Sequence, residues 1–285
     1  MKQETSSKGA QLSWLAKRTL PDDLKERVRT FPFNDTGHGY DAFGMSRRGV
    51  AAGLLLFKKL YENYFRVVSH GHENLPKAGP AVLACNHSGS LPFDGMMVWT
   101  DIVRRSNPVR VPRVVMDHFV SLMPFVGLIY IRGGCIGGSR ANFHSVLSGG
   151  EMILVFPEGV PGVGKRFSER YQLQTWREGH VELAMRHGAP VIPTAVVGAE
   201  EQMPQIGRIP GFHVFGAPYL PVTLTPFPLP VRYHIYYGEP IPIGERYGPE
   251  SANDPHALAE ASAEVRDAVQ ALITKGLNDR KGVFR

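Results

Sequence analysis

Residues 81–94 read Ala81-Val82-Leu83-Ala84-Cys85-Asn86-His87-Ser88-Gly89-Ser90-Leu91-Pro92-Phe93-Asp94. A short apolar run followed by a polar loop, a proline and an acid is the strand–loop–helix step of an α/β protein. Gly89 and Pro92 forbid one continuous helix from His87 to Asp94. The chain therefore loops out after the strand and enters its helix near Pro92 and Asp94. The step repeats downstream. Helices are expected over 94–105, 118–125, 139–147 and 175–187, the last stopped by Gly188. Strands are expected over 109–116, 128–132, 152–156 and 190–197. Short apolar strands alternating with helices indicate an α/β fold with a mostly parallel central sheet flanked by helices on both faces.

The ends of the chain read differently. Residues 1–65 form a helical extension, and 66–285 the main domain. In the extension Ser46 is the expected N-cap of a helix reaching about Phe65. Its apolar positions Val50, Leu54, Phe57, Leu60, Tyr61 and Tyr64 recur at spacings of three and four, with Arg47, Arg48, Lys58, Lys59 and Arg66 around them. That pattern fits a helix lying in a membrane interface, and equally a helix packed on a core. Residues 204–230 contain seven prolines. The apolar stretch 212–230 is a second candidate membrane contact. Residues 231–237 alternate as a half-exposed edge strand, and Asp254-Pro255 opens a last helix.

Composition narrows the functional classes. The chain has 285 residues, 43% of them apolar and 20% charged, with a formal charge of +6. A folded protein with an anionic partner fits these values: a membrane surface, nucleic acid or a phosphorylated substrate. The cations are dispersed and form no nucleic-acid-binding module. The two cysteines, Cys85 and Cys135, suggest neither a disulfide framework nor a metal cluster. The first eight residues are polar, without an apolar signal core, so a cytoplasmic location is expected. The longest apolar run, 50–57, has eight residues, against the roughly 20 a spanning helix needs.

Chemistry is expected outside the C-terminal ends of the strands. His87 follows one strand, Arg132 ends another, and Glu158 follows a third. A histidine near an acid can act as a general base held in one tautomer. Asp94 fits the partner role, and also that of a helix cap. Glu158 fits three roles: binding an acceptor hydroxyl, orienting a backbone, or holding His87. Lys165 and Arg166, after Gly162-Val163-Gly164, can clamp a phosphate or headgroup. Residues 133–138 form a glycine-rich turn without the Lys-Ser/Thr of a P-loop. No Gly-x-Ser-x-Gly elbow offers an acyl-enzyme nucleophile.

Asn86-His87 with Asp94 following, then Phe156-Pro157-Glu158-Gly159, then Gly188-Ala189-Pro190-Val191-Ile192-Pro193, resembles the glycerolipid/lysophospholipid acyltransferase superfamily. Over 178–201 the chain looks most like its monoacylglycerol/diacylglycerol acyltransferase-like branch. The resemblance spans roughly 65–245. It implies His87 as general base, Asp94 as its charge partner, and Glu158 and Gly159 in the block that binds the acceptor. It sets Arg132 against an arginine that helps hold a phosphate, and Pro193 in the strand flanking the donor. It implies an acyl thioester donor, on coenzyme A or acyl carrier protein, a lipid acceptor, a membrane surface, and no metal or organic cofactor. Two features depart from the pattern. Six residues separate His87 from Asp94 where four are usual, and Val160-Pro161 stands where Thr-Arg usually follows the glycine. A hydrolase using the same base on water, and a non-enzymatic lipid-binding protein, are the alternatives.

Overall fold

Every side chain of Ala81–Cys85 is buried, and they divide between two cores: Ala81, Leu83 and Cys85 join one, Val82 and Ala84 the other. A strand buried on both faces needs helices above and below it. The computed structural model, which describes residues 13–88, 91–210 and 219–285, supplies them. In chain order come helices α1 (Trp14–Thr19), α2 (Asp22–Thr30) and α3 (Arg47–Lys59), then strands β1 (Val68–His70) and β2 (Ala81–Cys85). Next are α4 (Phe93–Arg105), β3 (Arg113–Met116), α5 (His118–Leu122), α6 (Val126–Arg132), β4 (Ile136–Gly137), α7 (Arg140–Ser148) and β5 (Met152–Val155). They are followed by α8 (Val160–Val163), α9 (Gly179–His187), β6 (Val191–Val197), and the antiparallel pair β7 (Gln205–Pro210) and β8 (Tyr219–Thr223). Strand β9 (His234–Tyr237), α10 (Ile243–Tyr247) and α11 (Pro255–Asp279) complete the chain.

Seven strands form one sheet in the order β1-β9-β6-β2-β5-β3-β4. Neighbours from β6 to β4 are parallel, β9 runs antiparallel to β6, and β1 is parallel to β9. The chain leaves β2 toward β3 on one side and later crosses back to β6 on the other. The winding thus reverses at β2, where open α/β sheets bind their ligands. Helices α1 to α4 cover one face, and α7, α9 and α11 cover the other.

The helix opening at Ser46 forms as its sequence indicates: the Ser46 hydroxyl accepts the Gly49 N–H at 3.0 Å. Its apolar stripe faces the protein. Val50, Leu54, Phe57 and Tyr61 are buried in the same cluster as Leu24, Phe31 and Trp99, and Arg47 donates to the carbonyls of Val28 and Phe31. Of the two readings of this helix, the packed one holds, and its apolar stripe does not face a bilayer. The described part of 1–65 shares its core with the sheet.

Three expectations need correction. Residues 128–132 are not a strand. They lie in α6, and Ile136–Gly137 takes the place beside β3. A short apolar run does not separate a buried strand from a helix by periodicity. Residues 231–237 are not an exposed edge: β9 is buried throughout and lies between β1 and β6. Its alternate residues are Tyr and His, whose rings stack in the sheet, as His70 on Tyr236 at 4.3 Å does. The helix expected from 175 begins only at Gly179, because the N–H of Arg177 is bonded to the Pro157 carbonyl.

Candidate active site

The parallel strands bring their C-terminal ends to one rim. Ala84 pairs with Val155, and Cys85 with Thr194, so the segments after β2, β5 and β6 emerge together. Asn86 fastens the first of them. Its side-chain amide donates to the Val196 carbonyl at 3.1 Å and accepts the Val196 N–H at 2.8 Å, extending the β2–β6 ladder by one rung. His87 is then the first residue to leave the sheet.

The loop after His87 turns back so that Asp94, in the first turn of α4, meets the imidazole. His87 Nδ1 lies 2.7 Å from Asp94 Oδ2. The same oxygen accepts the Ser88 N–H at 2.9 Å, and Oδ1 accepts the Gly95 N–H at 2.7 Å. Asp94 is fully buried and every bond it makes is to a donor, so His87 must present Nδ1–H to it. That leaves Nε2 with its lone pair free, and no described residue bonds it. The ring stacks on Phe156 with centroids 4.3 Å apart, and the side chain keeps 14% of its surface exposed. Burial pulls the imidazole pKa down, but the charge and hydrogen bond of Asp94, with the charges of Glu158 and Asp117, outweigh it and raise the pKa above its ordinary value. The extra residues between His87 and Asp94 therefore do not separate the pair. Gly89 and Ser90 of this loop lie outside the described residues.

Glu158 faces inward. It is 1% exposed. Its Oε1 accepts the His87 backbone N–H at 3.0 Å, and its Oε2 accepts the Gln174 N–H at 2.8 Å. Of the roles its sequence position allowed, these two contacts fit those of orienting a backbone and holding His87. Gly159 beside it has φ +56° and ψ −145°, a conformation that side chains other than glycine's resist. Lys165 is buried as well, its ammonium 3.3 Å from Glu158 Oε2 and 3.0 Å from Glu200 Oε1. It is not an open phosphate clamp. Arg166 remains exposed at a small depression that Phe167, Arg170, Met203 and Gln205 also line. Arg132 ends a helix rather than a strand. It lies over the Tyr40 ring at 3.9 Å and donates to the Gly44 carbonyl at 2.9 Å, bracing α6 on the N-terminal segment.

Glu200 and Tyr171 carry no sequence signal of their own. Burial pushes the Glu200 carboxyl up to about 7 despite the adjacent Lys165. Glu200 Oε2 accepts the Tyr171 N–H at 3.0 Å, and the Tyr171 hydroxyl in turn receives the Gly198 N–H and donates to Glu201. Cys85, the nearest thiol, is fully buried. Burial, then the charges of Asp94 and Glu158, hold its pKa far above the ordinary range, which makes it a poor nucleophile.

Comparison with known proteins identifies the domain that carries these residues. Residues 66–197, which span His87, Asp94 and Glu158, match the acyltransferase family model. An uncharacterized protein of Mycobacterium tuberculosis is 34% identical over 260 residues, covering 87% of this chain and 72% of the relative. The bovine (Bos taurus) protein named "DGAT1/2-independent enzyme synthesizing storage lipids" is 31% identical over 213 residues, covering 72% of this chain and 58% of that protein. The crystal structure of the 1-acyl-sn-glycerophosphate acyltransferase of Thermotoga maritima superposes with a TM-score of 0.50 over 81% of this chain and 78% of that one, at 20% identity. At that identity the likeness is one of fold: a mostly parallel sheet between helices. With the site, the matched domain and the relatives in agreement, the chain belongs to the glycerolipid acyltransferase superfamily.

Proposed function

We propose that this chain is a peripheral O-acyltransferase that moves a fatty acyl group from acyl-CoA or an acyl carrier protein to the hydroxyl of a lipid-like acceptor. The observation that carries this reading is the His87–Asp94 pair, with the Nε2 lone pair unclaimed at the sheet rim. In the proposed step Nε2 takes the acceptor O–H proton as the alcohol oxygen attacks the thioester carbonyl. The C–S bond then breaks, and the departing thiolate takes the proton back from the imidazolium. Asp94 holds the tautomer and offsets the positive charge throughout. The attack is direct, without an acyl-enzyme.

An acceptor without a phosphate is favoured. Val160-Pro161 replaces the usual Thr-Arg, and Lys165 is engaged by two carboxylates. The name of the bovine relative, which concerns storage lipids, points the same way. The test is acyl-CoA presented with monoacylglycerol, diacylglycerol, a lysophospholipid and lysophosphatidic acid in parallel, with products resolved by mass spectrometry. The neutral glycerides are expected to be acylated at least tenfold faster than lysophosphatidic acid. Thiol release that is equally fast without any acceptor would replace transfer with hydrolysis.

The membrane contact we propose is the α5–α6 hairpin. Phe125 between the two helices is 82% exposed, and Leu128 and Ile129 beside it are exposed too. Phe125 also sits at φ +63°, an unfavourable conformation for a bulky residue that turns its ring outward. The hairpin follows β3 at the rim, and Asp117 at its base is close enough to act on His87. Among the described residues no helix is long and apolar enough to cross a membrane, so contact would be from one side. The other candidate segment, 212–230, falls partly outside the described residues. Phe125→Asp is expected to lower binding to anionic vesicles about tenfold or more, since inserting one aromatic side chain contributes roughly 1.5–3 kcal/mol. Unchanged co-sedimentation would remove the hairpin from the contact.

A further inference from the structure

Three segments of the rim meet around one buried ammonium group. Glu158, after β5, bonds the His87 backbone with one carboxylate oxygen, while its other oxygen faces Gln174 and Lys165. Glu200, after β6, faces Lys165 with one oxygen and the Tyr171 N–H with the other. Lys165 thus stands between two acids, and its side chain is only 4% exposed. The short helix α8 brings it there by an unusually close approach: a Cβ on Gly162 would lie 2.7 Å from the Glu158 Cβ and 3.1 Å from the His87 Cβ.

We propose that Lys165 is a positioning residue for the general base: it clamps Glu158 between itself and the sheet, and Glu158 fixes the backbone from which the His87 imidazole projects. This rests on the reading of His87 as the base. Both oxygens of Glu158 are directed by donors on different segments, so its carboxylate stays in place only while those donors do. Without the ammonium group, two buried carboxylates face each other across the cluster. The repulsion is relieved by their movement or protonation, and either loosens the bond to His87. A displacement of about 1 Å at a reacting group can lower the rate roughly 10²-fold. Lys165 itself needs no contact with substrate.

The test compares Lys165→Arg, Lys165→Met and Glu200→Gln with the parent chain in steady-state acyl transfer, together with the imidazole Cε1–H NMR resonance of His87, assigned by its loss in His87→Gln. Lys165→Met is expected to lower kcat at least tenfold while KM for acyl-CoA and for the acceptor stays within about twofold. Lys165→Arg should restore part of the loss. Glu200→Gln removes the second anchor of the ammonium group and leaves one carboxylate facing one cation, so it tests the clamp even where Lys165→Met fails to fold. It should lower kcat and shift the His87 resonance. The double variant Lys165→Met/Glu200→Gln should be no slower than Lys165→Met alone, because both act through one bridge. A raised KM for acyl-CoA or a phosphorylated acceptor at unchanged kcat would make Lys165 a ligand and overturn the proposal. So would an unmoved resonance and unchanged kcat in folded Glu200→Gln. The resonance needs no turnover, so the clamp can fail while acyl transfer stands, and the reverse.

Discussion

His87→Ala is expected to lower acyl transfer by about 10³-fold or more and to leave the protein folded. An alcohol is a weak nucleophile, and a positioned base typically contributes 10²–10⁴-fold. Each tenfold corresponds to about 1.4 kcal/mol of barrier. Among the described residues His87 is the imidazole at this rim that is bonded to a buried carboxylate; His180 is buried, and burial pushes its pKa down to about 4. The fold should tolerate the change. The imidazole makes one hydrogen bond, to Asp94, and one ring contact, to Phe156. Asp94 would keep the Ser88 and Gly95 N–H groups after truncation. The cost of one lost hydrogen bond, about 1 kcal/mol, is small beside the kinetic effect. Parallel rate and thermal-melt measurements separate the two.

Asp94→Asn is expected to lower the rate by roughly 10²–10⁴-fold, the contribution of a positioned base, which is lost when the acid that fixes its tautomer is lost, and to move the pH profile. An amide offers only one oxygen where three donors converge. Placing its NH₂ toward His87 opposes the Ser88 N–H and favours the tautomer with the proton on Nε2, which removes the base. The sign of the pH effect follows from the charge. In the parent chain Asp94 raises the imidazole pKa, and transfer falls as pH drops through that value because the protonated ring cannot accept a proton. Removing the carboxylate charge leaves burial dominant, so the acid limb of kcat/KM should move to lower pH. A limb that stays in place while the rate falls would mean that Asp94 acts on the fold and not on the base.

Much of this arrangement is legible in the chain. The apolar run 81–85 and the Pro92–Asp94 break define the β2–loop–α4 step, and β2, β5 and β6 follow from runs too short and too apolar for surface helices. His87 and Asp94 follow from residue type and from their place past a strand. Lys165 illustrates what does not follow. Its neighbourhood of glycines and cations reads as an anion site, because nothing local tells where an ammonium group finds its carboxylates. Glu200 comes from a segment 35 residues away, and only the sheet order brings it near. Arg132 failed for a related reason: six apolar residues before it suit a strand or a helix, and the choice is made by which segment fills the place beside β3. The basic stripe of α3 shows the same limit, since amphipathicity says that a face is covered and not by what.

The most direct test of the central claim follows an isotopically labelled acyl group. Labelled acyl-CoA is mixed with vesicles containing diacylglycerol, and the label is traced by mass spectrometry for the parent chain and for His87→Ala. The account predicts labelled acylglycerol ester from the parent chain and at most a trace from the variant. Equal ester from both, or label appearing only as free fatty acid, would contradict it.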